Sequence, residues 1–101
     1  MRITDIKTYV LVADNADVSL TSSAQDTILV EIYTDNGIIG YGETDTNPWV
    51  AKALIDSPGT HTMDQSMKDI LIGKDPLDID KRWEELYVGT AMTGRRGAGV
   101  N

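Results

Sequence analysis

Apolar and polar residues alternate along two stretches in the first half of the chain, as they do in β-strands that bury one face. Residues 3–12 form the first stretch, and residues 27–44 contain the second, which is interrupted by the turn-forming sequence Asp35-Asn36-Gly37. The side chains predicted to share a face are Ile6, Thr8, Val10 and Val12 in the first stretch and Ile28, Val30 and Ile32 in the second. The pattern predicts a three-stranded antiparallel meander.

Two kinds of turn fit the sequence between the second and third strands. A two-residue type I′ turn would place both Asn36 and Gly37 at positive φ, whereas a three-residue type I turn with a G1 bulge needs only Gly37 there. The choice matters because a slip of one residue moves every side chain to the other face of the sheet. We favour the bulge, whose cross-strand pairs are Val30 with Gly42 and Ile32 with Gly40.

After residue 44 the period of the apolar residues becomes that of helices. Asn47 is placed to cap a first helix with Pro48 at its first position, and Ser57-Pro58-Gly59 ends it. A capping box at Thr62–Gln65 predicts a second helix, which Gly73 ends in the left-handed conformation, and a third begins near Asp75-Pro76 or Asp78. The predicted buried stripes are Val50, Ala53 and Leu54; Met63, Met67, Ile70 and Leu71; and Ile79, Trp83, Leu86 and Tyr87, with Lys81, Arg82, Glu84 and Glu85 facing outward. Strands followed by about three helices indicate the α+β class.

Two segments lie outside this pattern. Residues 13–25 form a polar loop that is long for a hairpin connection, and such loops tend to be binding loops or mobile lids. Val18 and Leu20 are apolar residues within it, and they either pack onto their own domain or contact something else. Residues 94–101 contain three glycines without periodicity and are typical of a linker. The sequence therefore predicts a domain over residues 1–93 and the start of a linker over 94–101.

The charge of the chain narrows the classes of partner. The 101 residues carry 9 Lys and Arg against 16 Asp and Glu, a formal net charge of −7, which disfavours binding to nucleic acid or to an acidic membrane surface. The absence of cysteine excludes disulfides and thiolate metal sites. No signal core follows the first residues, and no apolar run approaches the ~20 residues of a membrane span. A cytoplasmic location fits these features.

Several polar residues invite a chemical interpretation. Asp75, Asp78 and Asp80 could hold Ca²⁺, but the glycine and glutamate of an EF-hand loop are missing, so helix capping is the better interpretation. His61 has no partner histidine or cysteine and is interpreted as a polar residue in the connection between helices. Glu43 is interpreted as a structural residue that ties a strand end to nearby backbone.

Two further candidates concern substrate contact. Arg95 and Arg96 could bind a carboxylate with two hydrogen bonds each, or be solvated charges of the linker. Trp49 is either a core residue, a residue of the helix start, or a contact to substrate.

The spacing of several short motifs resembles the N-terminal capping domain of the mandelate racemase and muconate lactonizing enzyme family of the enolase superfamily. The motifs are Thr34-Asp35-Asn36-Gly37, Gly40-Tyr41-Gly42-Glu43, Gly73-Lys74-Asp75-Pro76-Leu77, Trp83 and Tyr87. The resemblance covers residues 1–101, and residues 94–101 resemble the junction at which such proteins enter their barrel domain.

The resemblance implies a division of labour between domains. Family members remove the proton next to the carboxylate of an acid or acid sugar, as racemases, epimerases or dehydratases, with a lysine or histidine as base and Mg²⁺ stabilising the enediolate. Those groups lie in the barrel domain, which this chain lacks, so the chain alone is expected to be inactive. The capping domain supplies two loops that close over the barrel, here residues 13–25 and 44–49. By position, the implied substrate-binding residues are Val18, Leu20, Ser22, Asp45, Asn47 and Trp49.

The resemblance also implies partners: the protein's own C-terminal barrel domain, a small acid or acid-sugar substrate, and further copies of the full-length chain in a homo-oligomer. The rival hypothesis is a stand-alone α+β binding module without enzymatic activity, whose likeness to the family is only architectural. A downstream barrel sequence with a Lys-x-Lys motif and three spaced carboxylates would distinguish the two.

Overall fold

The computed structural model describes residues 1–21 and 24–93, and they form a three-stranded sheet followed by helices. The predicted α+β class and the order of strands and helices are confirmed. The linker predicted over residues 94–101 lies outside the described residues. The elements are β1 (Ile3–Val12), β2 (Asp26–Thr34), β3 (Ile39–Thr44), α1 (Pro48–Asp56), α2 (Met67–Leu71), α3 (Ile79–Gly89) and a 3₁₀ turn at Ala91–Thr93.

The sheet is an antiparallel meander in the order β1-β2-β3. Its hairpin turn is the predicted three-residue turn with a bulge, because Val30 pairs with Gly42 and Ile32 with Gly40. Gly37 has a φ of 85°, while no described non-glycine residue has a positive φ, so the type I′ alternative is wrong. The Asn36 side chain closes the turn, since its Oδ1 accepts hydrogen bonds from Thr34 Oγ1 (2.7 Å) and the Ile38 N–H (3.2 Å).

The core lies between one face of the sheet and the helices. Ile28 and Ala51 are completely buried, which places α1 directly against β2. A Cβ built on Gly40 or Gly42 in β3 meets nothing within 4 Å, so close packing does not require glycine at either position. The buried apolar cluster comprises Ile3, Ile6, Ile28, Ala51, Ile55 and Met67, with Val30, Ile32, Leu54, Leu71 and Leu86 packed against it.

Helix α1 begins as predicted but buries a different face. Asn47 is its N-cap and Pro48 its first residue, and the buried side chains are Pro48, Ala51 and Ile55. Of the predicted stripe, Val50 is 57% exposed and Ala53 is exposed, while Leu54 is half-buried. Both sets of residues have helical spacing, so periodicity alone could not select between them. The small Ala51 allows the helix to lie close to the sheet.

Helix α2 begins four residues later than predicted. Its N-cap is the buried Ser66, whose Oγ accepts a hydrogen bond from the Asp69 N–H at 3.0 Å, so the capping box at Thr62 is wrong. The backbone before Ser66 is used elsewhere, because the Gln65 N–H donates to the carbonyl of Gly89 at 2.9 Å. Met63 is exposed, whereas Met67 and Ile70 are buried as predicted.

Gly73 has the predicted left-handed conformation, with a φ of 86°. Its N–H donates to the carbonyl of Ile3 at 2.8 Å, and the N–H of Ile3 donates to the carbonyl of Lys74 at 2.9 Å. The end of α2 is therefore tied to the beginning of β1.

Helix α3 begins after Asp78, one of the two predicted starts, but its stripe is only half correct. Leu86 packs against the core, whereas Ile79 is 73% and Trp83 40% exposed, with the Trp83 ring stacked on Tyr87 at 5.1 Å between centroids. Arg82 and Glu85 do not face outward as predicted. They are partly buried as an ion pair, and Lys74 is also paired with Glu85.

We expect Gly37 to be the glycine on which the hairpin depends. Gly37→Ala forces a Cβ into positive φ and should lower the free energy of unfolding by about 1–2 kcal/mol. Gly40→Ala is the matched control, because it adds the same atom to the neighbouring strand in open space without a positive φ. The measurement is the urea midpoint. Equal midpoints for the two variants would contradict the assigned turn.

We also expect one ion pair to make stability depend on pH. Lys68 Nζ lies 3.0 Å from Asp5 Oδ1, and this hydrogen bond, followed by one from the Ile6 N–H, lowers the pKa of Asp5 below its ordinary 3.8. A lowered carboxyl pKa contributes stability above the unfolded-state pKa, and that contribution is lost as pH falls through the folded-state pKa.

Asp5→Asn should therefore lower the urea midpoint at a pH of about 6, and its difference from the parent chain should shrink as pH falls from about 4 to about 2. Asp14→Asn, in the exposed loop, removes the same charge and is the control. A difference for Asp5→Asn that stays constant with pH would show that the ion pair does not contribute.

Candidate functional site

The register of the sheet brings both predicted substrate loops to one end of the molecule. Val12 pairs with Asp26, and Ile28 pairs with Thr44. The loop of residues 13–25 therefore leaves the sheet at the same end as the segment of residues 44–49, which leads into α1. We call these segments loop 1 and loop 2.

The apolar residues of loop 1 are exposed to solvent. Val18 is 104% and Leu20 59% exposed, so the alternative that they pack onto their own domain is wrong. The turn that carries them is held by Asp17, whose Oδ1 accepts hydrogen bonds from the N–H (2.9 Å) and hydroxyl (2.7 Å) of Ser19. These bonds, the hydroxyl first, lower the pKa of Asp17. Ser22 lies outside the described residues.

Loop 2 is built around the start of α1. Asn47 Oδ1 accepts hydrogen bonds from the N–H groups of Trp49 (3.1 Å) and Val50 (3.3 Å), which fixes the first turn of the helix. Pro48 is buried, and Trp49 is 59% exposed, which rules out the core alternative for Trp49. Asp45 is exposed. Asn47 therefore has a structural role that its assignment as a substrate-binding residue did not require.

The structure thus brings those predicted loop residues that it describes, Val18 and Leu20 in loop 1 and Asp45, Asn47 and Trp49 in loop 2, to the same end of the sheet. An open hollow of about 390 Å³ lies where loop 1 joins β1 and β2. Glu43 Oε2 accepts a hydrogen bond from the hydroxyl of Thr27 (3.2 Å); among the described residues this side-chain contact stands where a contact to backbone was predicted. The hollow is lined by Leu11, Val12, Ala13, Ala24, Gln25, Asp26 and Thr27.

A separate polar cluster lies on the sheet face that the helices leave uncovered. The hydroxyl of Tyr33 donates to Glu31 Oε1 at 3.1 Å, and Lys7 lies 5.0 Å from the centre of the Tyr33 ring. A hydrogen bond to Glu31 raises the pKa of Tyr9 to about 12. A phenol with this pKa stays protonated near neutral pH, so it is unsuited to act as a general base there.

The other candidate residues have structural surroundings. Asp75 Oδ1 accepts from the Leu77 N–H at 2.9 Å, and Asp80 lies in the first turn of α3. Asp78 occupies the N-cap position of α3, but its side chain makes no capping hydrogen bond. His61 is exposed between α1 and α2, as predicted, and its Nδ1 accepts from the Met63 N–H at 3.2 Å. Within residues 1–21 and 24–93, no group of three or more His, Cys, Asp or Glu side chains could hold a metal ion. Arg95 and Arg96 lie outside the described residues.

Two features were missed at the level of sequence. The first is Gln25, whose side chain bonds to the backbone of loop 1, and nothing in the sequence pattern marks it. The second is a hollow of about 580 Å³ between α2 and α3, lined in part by Lys74, Lys81 and Glu85. The ion pair of Arg82 and Glu85 was also missed, although their spacing of three residues on a helix was a usable signal for it.

Among the described residues, no helix is long and apolar enough to cross a membrane.

Comparison with known proteins finds a family model and several relatives that match this chain. The family model described as "Mandelate racemase / muconate lactonizing enzyme, N-terminal domain" matches residues 6–101. An arabinonate dehydratase of Saccharolobus solfataricus is 29% identical over 106 residues, covering 97% of this chain and 27% of that protein. A D-galactonate dehydratase family member of Streptomyces bingchenggensis is 33% identical over 94 residues, covering 90% and 20%.

A D-xylonate dehydratase of Haloferax volcanii is 39% identical over 59 residues, which is 58% of this chain and 12% of that protein. Among solved structures, a predicted mandelate racemase from Rhodobacter sphaeroides has a TM-score of 0.83 at 21% identity, covering 93% of this chain and 24% of that one. This likeness shows a shared fold. The chain spans between 12% and 27% of the length of these curated relatives.

The role of Asn47 as a helix cap can be tested directly. Asn47→Ala removes the capping oxygen and should lower the free energy of unfolding by about 1 kcal/mol. Asn47→Asp keeps an oxygen at the same place and adds a charge that the helix N-terminus favours, so it should leave stability unchanged or raise it. Thermal or urea unfolding measures both. A destabilised Asn47→Asp variant would contradict the capping assignment.

Proposed function

The chain belongs to the mandelate racemase and muconate lactonizing enzyme family as an N-terminal domain, and we propose that it closes over and shapes the substrate site of a longer enzyme acting on acid sugars. The observation that carries the proposal is the exposure of Val18, Leu20 and Trp49 at the one end of the sheet where both loops emerge. Large apolar side chains exposed to water at the same end of a domain support a surface that another surface covers.

The names of the relatives support acid sugars as the substrate class, and the charge of the loops supports one orientation of such a substrate. Asp14, Asp17 and Asp45 are exposed in the two loops, and their negative charge would repel the carboxylate of an acid sugar. Carboxylate oxygens are, however, good acceptors for hydroxyl groups. We therefore infer that the loops contact the hydroxyl-bearing end of the substrate, while its carboxylate lies toward the barrel domain.

The chemical step belongs to the part of the protein outside this chain. We propose that the barrel domain supplies the base and a Mg²⁺ ion, which would neutralise negative charge developing on the substrate next to its carboxylate. The described residues offer no site for that ion. What this chain does is exclude water and limit the shape of the pocket, through the apolar tip of loop 1 and Trp49.

The rival hypothesis of a stand-alone binding module is less well supported. It required the likeness to the family to be only architectural, whereas the family model matches the amino-acid sequence over residues 6–101. Whether the full-length protein is a dehydratase, a racemase or an epimerase stays open within the proposal, and its homo-oligomeric state and cytoplasmic location stay predictions.

We expect Leu20→Ala and Trp49→Ala to change substrate preference in the full-length enzyme. The ratios of kcat/KM among arabinonate, D-xylonate and D-galactonate should change by about tenfold, which is typical for lost apolar contacts in a pocket. Leu77→Ala is the matched control, since Leu77 is 72% exposed in the turn before α3, away from the loops.

The isolated chain with Mg²⁺ serves as the negative control and should not exchange the proton next to the carboxylate above the buffer rate. Substrate ratios that change equally for Leu20→Ala and Leu77→Ala, or for neither, would contradict the role proposed for the loops. Turnover by the isolated chain would contradict the division of labour between domains.

A further inference from the structure

The side chain of Gln25 makes two hydrogen bonds to the backbone of a single residue across loop 1. Its Oε1 accepts from the N–H of Asp17 at 2.6 Å, and its Nε2 donates to the carbonyl of Asp17 at 3.0 Å. The carboxamide thus pairs with the donor and acceptor of one residue, much as a neighbouring strand would. Of the charged or amide side chains, only Asn and Gln combine a donor and an acceptor on one planar group.

The backbone of Gln25 is hydrogen-bonded next to the end of the sheet. The carbonyl of Gln25 accepts from the N–H of Ala13 at 2.7 Å, directly beyond the last pair of the β1–β2 ladder, Val12 with Asp26. The position of the Gln25 backbone is therefore set by the sheet. Its side chain is half-buried, although most of loop 1 is exposed.

The tip of loop 1 depends in turn on Asp17. Besides the two bonds from the Asp17 carboxylate to Ser19, the carbonyl of Asp17 accepts from the N–H of Leu20 at 3.1 Å. A continuous series of hydrogen bonds thus leads from the sheet through Gln25 and Asp17 to the turn that carries Val18 and Leu20. Val18 is fully exposed, so contacts with the core do not fix its position.

We propose that Gln25 is a positioning residue: it holds the turn of residues 17–20 in one orientation and thereby sets the substrate preference of the site. This inference rests on the proposed function, since it assumes that the tip of loop 1 contacts substrate. Gln25 itself need not touch the substrate. A loop that is already shaped before substrate arrives loses less conformational freedom on binding, so the contribution of Gln25 falls mainly on substrate affinity.

The decisive variant is Gln25→Glu, which keeps the size of the side chain and the acceptor for Asp17 N–H. It replaces the Nε2 donor by an oxygen that faces the Asp17 carbonyl, so the second bond becomes a repulsion. Gln25→Ala removes both bonds. Gln65→Glu is the matched control, because Gln65 Nε2 donates to the carbonyl of Thr62 at 2.7 Å in the connection between α1 and α2.

Two measurements on the full-length protein test the proposal. Amide hydrogen exchange without substrate should accelerate about tenfold at Asp17, Ser19 and Leu20 in both Gln25 variants, and not in Gln65→Glu. The kcat/KM ratios among arabinonate, D-xylonate and D-galactonate should change severalfold, with the change in KM larger than that in kcat. The urea midpoint identifies any variant that has lost its fold, and Gln25→Glu is the variant expected to retain it.

The outcomes separate this inference from the proposed function. Unchanged exchange in both Gln25 variants would overturn the positioning role. Faster exchange with unchanged substrate ratios, in an enzyme whose ratios do respond to Leu20→Ala, would also overturn it and leave the proposed function standing. Faster exchange with unchanged ratios for both Gln25→Glu and Leu20→Ala would overturn the proposed function. Faster exchange together with changed ratios supports the inference.

Discussion

The fold depends on the close packing of α1 against the middle of the sheet. Ile28 and Ala51 are both fully buried where the helix meets β2, and removing the water between two such apolar surfaces is the main favourable term available to a domain of this size. The small side chain of Ala51 permits the short distance, and the Asn47 cap fixes where the helix begins and hence which face reaches the sheet. The other helices attach to this pair of layers.

Helix α2 packs onto these layers, and α3 is joined to α2. Met67 brings α2 into the same cluster, and the carbonyl of Gly89 accepts from Gln65 to join the end of α3 to the start of α2. A Cβ at Gly89 would lie 2.5 Å from Ile70 Cδ1, so a larger residue there would require the end of the Ile70 side chain to move. The helices cover β1 and β2, while β3 stays exposed and the opposite face of the sheet bears the Glu31 cluster with its tyrosines. The loop end of the sheet carries the exposed Val18, Leu20 and Trp49, on which the proposed site rests.

The sequence predicted those features that a local rule decides. The alternation of side chains defined the strands, Asp35-Asn36-Gly37 located the turn with glycine at the position of positive φ, and Asn47-Pro48 located the start of α1. It failed where two local solutions were equivalent and tertiary packing chose between them, as with the two faces of α1 or the caps Thr62 and Ser66. For the proposed site, loop position made Val18 and Leu20 candidates for substrate contact. A hydrogen bond between residues eight positions apart, such as that of Gln25 to Asp17, produces no periodic pattern in the sequence.

The full exposure of Val18 has a consequence for the evolution of the loop sequence. A side chain that contributes nothing to the core can be exchanged without a cost in folding, because the bonds that shape the turn come from backbone groups and from the side chains of Asp17 and Gln25. Substitutions at the tip then change the contacts that the loop makes and have little effect on the stability of the fold. The hydrogen bonds that shape the loop thus come from residues other than the exposed residue at its tip, which can vary independently of them.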